Sequence, residues 1–194
     1  MNQFTIVGLS GGLSSPSRTL SLVALAVDAV ARASGRAGLV PHSRIIDVAA
    51  LPDIGQLRSR AGAGAPEEEA LRAVEQADLL IVGSPVYKGS YSGLFKHFID
   101  LVDYRSLIGT PVALLATGGS ERHALAIEHQ LRPLFAFFQA QPLGTGLFLT
   151  ERELVDGGIV AEPAQQRLER LVEEAVHAVE GRVRARHRAA GAAA

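Results

Sequence analysis

The chain has 194 residues, 47% hydrophobic and 20% charged, with no cysteine, which excludes a disulfide framework, a Cys-x-x-Cys redox centre, a thiolate nucleophile and an iron–sulfur cluster. Nineteen Lys and Arg against twenty Asp and Glu leave a formal net charge of −1, which argues against a general nucleic-acid binder and a strongly acidic electron carrier. The length predicts a single domain over residues 1–188 with a frayed tail over 189–194, and the absence of signal-peptide and transmembrane patterns predicts a cytoplasmic protein without a membrane partner.

Phe4–Gly8 is a first apolar run that predicts a strand, followed by the Ser/Gly-rich stretch SGGLSSPS. Arg18–Ala33 then places Leu22, Leu25, Ala26 and Ala29 at helical spacing, with Ser17 as the N-cap. Ser43–Val48 reads as a second strand, polar enough for a sheet edge, and Leu51–Pro66 as an exposed loop without periodicity. Pro66 and Glu67–Glu69 open a helix to about Gln76, because Pro suits the first turn and carboxylates suit the positive end of the helix dipole. Asp78–Gly83 is nearly all apolar, as a strand covered on both faces should be. Helical spacing resumes over Leu94–Val102, and Pro111–Ala116 is a fourth strand.

His123–Phe138 reads as one helix with Ile127, Leu131, Leu134, Phe135 and Phe138 on one side. Pro133 removes one hydrogen bond and presses on the carbonyl of His129, so an irregularity is expected there. Leu143–Phe148 is the fifth strand and Pro163–Arg188 the last helix. Arg182, Arg184, Arg186 and Arg188 lie beyond its apolar stripe and read as a solvated, dipole-favoured end. Strands alternating with helices predict an α/β fold, a doubly wound five-stranded parallel sheet in the flavodoxin-like order 2-1-3-4-5.

In such a sheet ligands bind beyond the carboxyl ends of the strands, where strand order reverses. Three loops meet there: Ser10–Thr19, Ser84–Gly93 and Thr117–His123, all rich in Gly, Ser and Thr. The first offers amide and hydroxyl donors at a helix N-terminus, and Arg18 adds a charged donor. It carries neither Gly-x-Gly-x-x-Gly nor Gly-Lys-Ser/Thr, so a terminal monophosphate fits better than a pyrophosphate. The second loop sets Tyr87 and Tyr91 where they either flank a planar ring or simply pack at a helix start. Gly118 and Gly119 in the third let backbone approach a ring edge. A phosphate at the first loop and a ring between the others describe a flavin mononucleotide. The His123/His129 spacing suits no common metal site, Ser10, Ser84 and Ser120 have no identifiable His/Asp partners, and no Gly-x-Ser-x-Gly is present.

Phe4 to about Phe148, and above all GSPVYKGSYSGLFKHFIDL (Gly83–Leu101) and LLATGGSERHALAIEHQLRPLFAFFQAQ (Leu114–Gln141), resembles the NADPH-dependent FMN reductases, in particular the branch that supplies sulfonate monooxygenases. The resemblance implies an NAD(P)H:FMN oxidoreductase that delivers reduced FMN to a two-component, flavin-dependent monooxygenase. It implies FMN with NADPH or NADH as cofactors and a homo-oligomer, dimer or tetramer, as the assembly. The phosphate loop it implies is Ser10, Ser15, Ser17, Arg18 and Thr19, and the ring contacts are Pro85, Val86, Tyr87, Thr117, Gly118 and Gly119. His129 stands where alkanesulfonate-linked reductases carry a Tyr associated with a π-helical insertion, and His there is similar to the methanesulfonate-linked relative. The implied role of that region is a widened turn at an oligomer interface. Hydride transfer between stacked rings needs no protein acid or base, and the backbone of Gly118 and Gly119 would stabilise the charge of the reduced flavin. Two other readings stand beside it: an FMN-bound quinone or azo reductase, and a non-enzymatic FMN-binding electron carrier.

Overall fold

The first four apolar runs become strands and the helix-spaced runs between them helices, in alternation. In chain order they are β1 (Gln3–Ser10), α1 (Arg18–Arg36), β2 (Val40–Asp47), α2 (Ala65–Glu75), β3 (Leu79–Pro85), α3 (Gly93–Asp100) and β4 (Pro111–Gly118). A π-helical turn (Ile127–Leu131) then fuses to α4 (Arg132–Phe137), followed by β5 (Gln141–Pro142), β6 (Leu147–Thr150), β7 (Leu154–Val155), β8 (Gly158–Ile159) and α5 (Glu162–Ala192). The computed structural model describes residues 2–192, with side-chain surroundings as far as Arg186. The expected tail falls partly on α5, which continues to Ala192, and partly on 193–194, outside the described residues.

The main sheet is parallel in the order β2-β1-β3-β4-β5, with β6 pairing β4 beyond β5, so the expected 2-1-3-4-5 order is observed. Period-two alternation splits the buried residues between two layers. Val7, Leu9, Leu80, Val82, Val112 and Leu114 pack with α2, α3 and α4 through Leu71, Phe95, Phe98 and Phe135. Phe4, Ile6, Leu79, Ile81, Ala113 and Leu115 pack on the other face with Leu22, Ala26 and Val30 of α1 and Leu171, Ala175 and Val179 of α5. Each fully buried Leu or Phe contributes about 1.5–3 kcal/mol. β2 is an edge strand, as its polarity suggests.

The fifth strand departs from expectation. Instead of running through Leu143–Phe148, it is broken: residues 143–146 on the edge oppose only Ala113 and Leu114 between the paired segments of β4. Flanking helices satisfy the freed backbone. Arg132 Nη1 donates to the Leu143 carbonyl (2.8 Å), and the Glu174 carboxylate accepts from Thr145 N–H (2.8 Å) and Thr145 Oγ1 (2.5 Å). A Cβ on Gly146 would stand 2.7 Å from Ile127 Cγ2, so the chain passes too close to the π turn for any other residue.

The segment read as a single helix over His123–Phe138 is likewise divided. A 3-10 turn (Glu121–His123) precedes the π turn, in which Arg132 N–H donates to the Ile127 carbonyl five residues back. Pro133 follows at once, so the widening falls in the turn where its ring would crowd the carbonyl of His129. Ile127, Leu131, Phe135 and Phe138 still face the core.

The stretch after Leu51 is mostly exposed, as expected, and is pinned at a few points: Ile54 and Leu57 are buried, and Arg60 donates to Glu68 (2.9 and 3.0 Å) and to Glu75 (3.0 Å). The basic end of α5 is not simply solvated. Arg182 Nη1 donates to the Gly109 carbonyl (2.7 Å), and Arg186 pairs with Asp78 (2.9 Å) at the amino end of the sheet. Burial pushes the Arg182 guanidinium below its usual range, an effect that nearby Asp78 opposes. The side chain of Arg188 lies outside the described residues.

Candidate cofactor site

β1, β3 and β4 end together, and hydrogen bonds lock their three loops to one another. Gly11 N–H donates to the Gly83 carbonyl (2.8 Å), and Ser92 Oγ, the N-cap of α3, donates to the Gly11 carbonyl (2.7 Å). Ser84 Oγ accepts from Ser92 N–H (2.9 Å). Val86 N–H donates to the Thr117 carbonyl (2.7 Å), and the hydroxyls of Thr19 and Thr117 share a 2.7 Å hydrogen bond in the interior. Gly12 is required sterically, since a Cβ there would fall 2.1 Å from Ser17 Oγ.

These loops enclose a cleft lined by Gly12, Leu13, Ser14, Arg18, Thr19, Pro85, Val86, Tyr87, Thr117, Gly118 and Gly119, with Thr150, Glu151 and Leu154 from the end of β6 and beyond. Its enclosed volume is about 110 Å³. Larger grooves lie between α1 and α5 (about 570 Å³) and beside α3 and α4 (about 750 Å³), away from the converging loops; convergence, not size, marks the site.

Eight of the residues read from the sequence are therefore brought together: Arg18, Thr19, Pro85, Val86, Tyr87, Thr117, Gly118 and Gly119. Ser10, Ser15 and Ser17 stand outside the lining. Ser10 is buried with its Oγ accepting from Gly12 N–H (3.2 Å), and Ser17 Oγ caps α1 by accepting from Leu20 N–H (3.2 Å). Both hydroxyls shape the loop. Ser15 is exposed. Sequence reasoning missed Thr150 and Glu151; the signal available was that the fifth strand ends beside the fourth, at the same sheet edge.

The donor set fits a phosphomonoester attached to a flat ring. Arg18 opens the first turn of α1, which carries no acidic side chain, so a cation sits at the positive end of a helix dipole. That is locally unfavourable unless an anion is near, and in the structure the Glu151 carboxylate pairs with Arg18 there. Beyond β3, Tyr87 and Ser90 exchange backbone hydrogen bonds (2.8 and 3.1 Å) across Lys88 (φ 52°) and Gly89 (φ 83°), the positive-φ pair of a tight hairpin. The hairpin holds Tyr87 half exposed at the cleft. Gly118 and Gly119 leave the opposite wall thin; a Cβ on Gly119 would meet nothing within 4 Å.

His129 lies within the π turn and is exposed, and its N–H donates to the carbonyl of exposed Leu125 (3.0 Å). Its neighbour Gln130 accepts a hydrogen bond from Ser90 Oγ (3.1 Å), which joins the π turn to the Tyr87 hairpin. Glu128 is held below the usual carboxylate range by hydrogen bonds from Arg132, against the opposing effect of burial.

A sheet reversing between β1 and β3, with the start of α1 on one side of the cleft and thin glycine backbone on the other, defines the class: a flavodoxin-like protein with a cleft at its switch point. Comparison with known proteins narrows it. Residues 4–153 match the NADPH-dependent FMN reductase family. The chain is 49% identical over 170 residues to the NADH-dependent FMN reductase SfnF of Pseudomonas fluorescens, covering 88% of this chain and 89% of that one. It is 44% identical over 182 residues to an FMN reductase (NADPH) of Pseudomonas aeruginosa, covering 92% and 94%. Among solved structures, an oxidoreductase from Corynebacterium diphtheriae superposes with a TM-score of 0.83 at 32% identity over 93% of this chain and 99% of that one. The apo form of the NADH:FMN oxidoreductase EMOB gives 0.80 at 30% identity, over 92% and 89%. The chain belongs to the NADPH-dependent FMN reductase family, and is an oxidoreductase using FMN with NADH or NADPH.

Proposed function

We propose that this protein reduces FMN as a dissociable substrate and hands the reduced flavin to a flavin-dependent monooxygenase acting on a sulfonate-type compound, in the cytoplasm. The observation that carries the reading is the meeting of Arg18 at the N-terminus of α1 with the Tyr87 hairpin and the Gly118–Gly119 backbone around one cleft. Relatives named NADH-dependent FMN reductase SfnF and SfnE, at 44–51% identity, support the flavin-reductase part of the reading.

Bound FMN would accept a hydride from the reduced nicotinamide; the residues of this chain bind and orient. Arg18 and the first N–H groups of α1 receive the phosphate. Pro85, Val86 and Tyr87 flank the ring, and the backbone amides of Gly118 and Gly119 face the edge where negative charge collects on reduction. No side-chain acid or base is required. The exposed Leu125 and His129 support a homo-oligomer built through the π-turn face, and the Ser90–Gln130 hydrogen bond connects that face to the hairpin.

The test is an FMN titration of the purified protein by flavin fluorescence quenching, followed by NADH and NADPH oxidation assays with free FMN or with quinones. Turnover that rises with added FMN in a protein purified colourless supports the reading. A yellow protein that turns over quinones without added FMN overturns it.

A further inference from the structure

Among the residues lining the cleft, Arg18 is the one cation and Glu151 the one acid, and they are paired. Both side chains are about half exposed, at 55% each, so the pair sits in high dielectric and is weak and exchangeable. Glu151 is nonetheless held in place by its own loop. The Glu153 carboxylate accepts from Thr150 N–H and Thr150 Oγ1 (both 2.8 Å), and Glu153 N–H returns to the Thr150 carbonyl (3.2 Å). This closed turn presents residue 151 toward the N-terminus of α1.

We propose that Glu151 is an intramolecular competitor for the flavin phosphate, setting how tightly FMN is held and how fast it leaves. The inference rests on the reading of Arg18 as the phosphate donor. A guanidinium at the start of a helix without first-turn acids is an anion site, and Glu151 supplies an anion from within the chain. A phosphomonoester carries close to two negative charges near neutral pH and takes the same donor. It must displace the carboxylate and then share the cleft with it, because the turn at Thr150–Glu153 keeps Glu151 within reach. Glu151 also borders the adjoining groove with Arg122 and Arg152, so the displaced carboxylate has other cations to turn toward. The design suits a flavin that is a substrate. Strong phosphate binding would slow delivery, and a tethered acid weakens binding without deforming the ring site.

The experiment is Glu151→Gln in the full chain, titrated with FMN and, separately, with riboflavin, which has the same ring and no phosphate. Glu151→Gln should tighten FMN by ~3–10-fold and slow its release in stopped flow, while riboflavin affinity moves by less than about twofold; the FMN effect should shrink in 0.5 M salt, where the Debye length falls to roughly 4 Å. Glu151→Ala should act in the same direction, which separates charge from amide chemistry. In an Arg18→Ala background the gain from Glu151→Gln should fall by at least about half, because the contested donor is gone. Unchanged or weaker FMN binding in Glu151→Gln overturns the proposal, and so does equal tightening of FMN and riboflavin, which would assign the effect to space. Failure of the underlying reading looks different. Wild-type protein would then bind FMN and riboflavin equally, and Arg18→Ala alone would change neither.

Discussion

The two ends of the sheet each hold an arginine–carboxylate pair, and the pairs are built for opposite purposes. At the amino end Asp78 is buried, and its Oδ2 accepts from Thr5 N–H (2.8 Å) and Thr5 Oγ1 (3.3 Å) while Oδ1 meets Arg186 (2.9 Å). Every side-chain oxygen is engaged, and the pair fastens α5 to β1 and β3. At the carboxyl end Arg18, the first residue of α1, and Glu151, in the turn after β6, both face solvent. The two arginines are alike in exposure (51% for Arg186, 55% for Arg18), so the carboxylate decides: buried and fully engaged, Asp78 is a fastener, whereas exposed Glu151 is replaceable.

Breaking the fastener should give the largest effect. Asp78→Ala leaves the Thr5 N–H without its charged acceptor and releases half-exposed Arg186 to solvent, and is expected to cost about 2–3 kcal/mol of stability in urea unfolding, nearly all of it from the hydrogen bonds to the carboxylate. Its affinity for FMN should be unchanged once the variant is folded. Arg18→Ala should show the reverse pattern: FMN binding weaker by about 1.5–3 kcal/mol in fluorescence titration, with unfolding free energy within about 0.5 kcal/mol of wild type. A stability loss from Arg18→Ala matching that of Asp78→Ala would erase the distinction between the two ends.

Gly119→Leu sharpens the contrast at the opposite wall. The position is open toward the cleft, so the side chain should fill ring space and weaken FMN about tenfold or more at little cost to folding. Gly118→Leu is a poorer probe, since a Cβ there already stands 3.0 Å from Phe148. The smallest effect concerns acid. Hydrogen bonds from Arg60, and then Arg72, hold the Glu68 carboxyl at about 2 against an ordinary 4.5. A carboxylate with a depressed folded-state value stabilises fully above the ordinary value and loses that contribution as pH falls toward the folded one. Wild type should therefore lead Glu68→Gln in urea midpoint above pH 4.5 and lose that lead by about pH 2.

Strand order and the three cleft loops were legible because both follow from alternation and from the carboxyl-edge rule, which need only local pattern. Arg18, Tyr87 and Gly118 could be brought together on that basis alone. Glu151 was not legible: its partner is 133 residues away and its loop has no Gly/Ser/Thr signature. The π turn was half visible, through Pro133, whereas the broken fifth strand was hidden because Leu143–Phe148 is apolar enough for an unbroken one. What interrupts it is tertiary: Arg132, Glu174 and Ile127 arrive from helices on either side. Arg182 and Arg186 misled for the same reason, since an arginine beyond an apolar stripe looks solvated until its acceptor is known.

That interruption also limits how copies of the chain can associate. An uninterrupted outer strand offers a neighbouring molecule a ladder of free amides and carbonyls, and open-ended stacking is the hazard. Here β5 and β6 are two and four residues long, and the backbone between them is occupied by Arg132 and Glu174. Sheet-to-sheet extension across this border is disfavoured, which leaves β2, eight residues long and polar, as the continuous edge of the sheet.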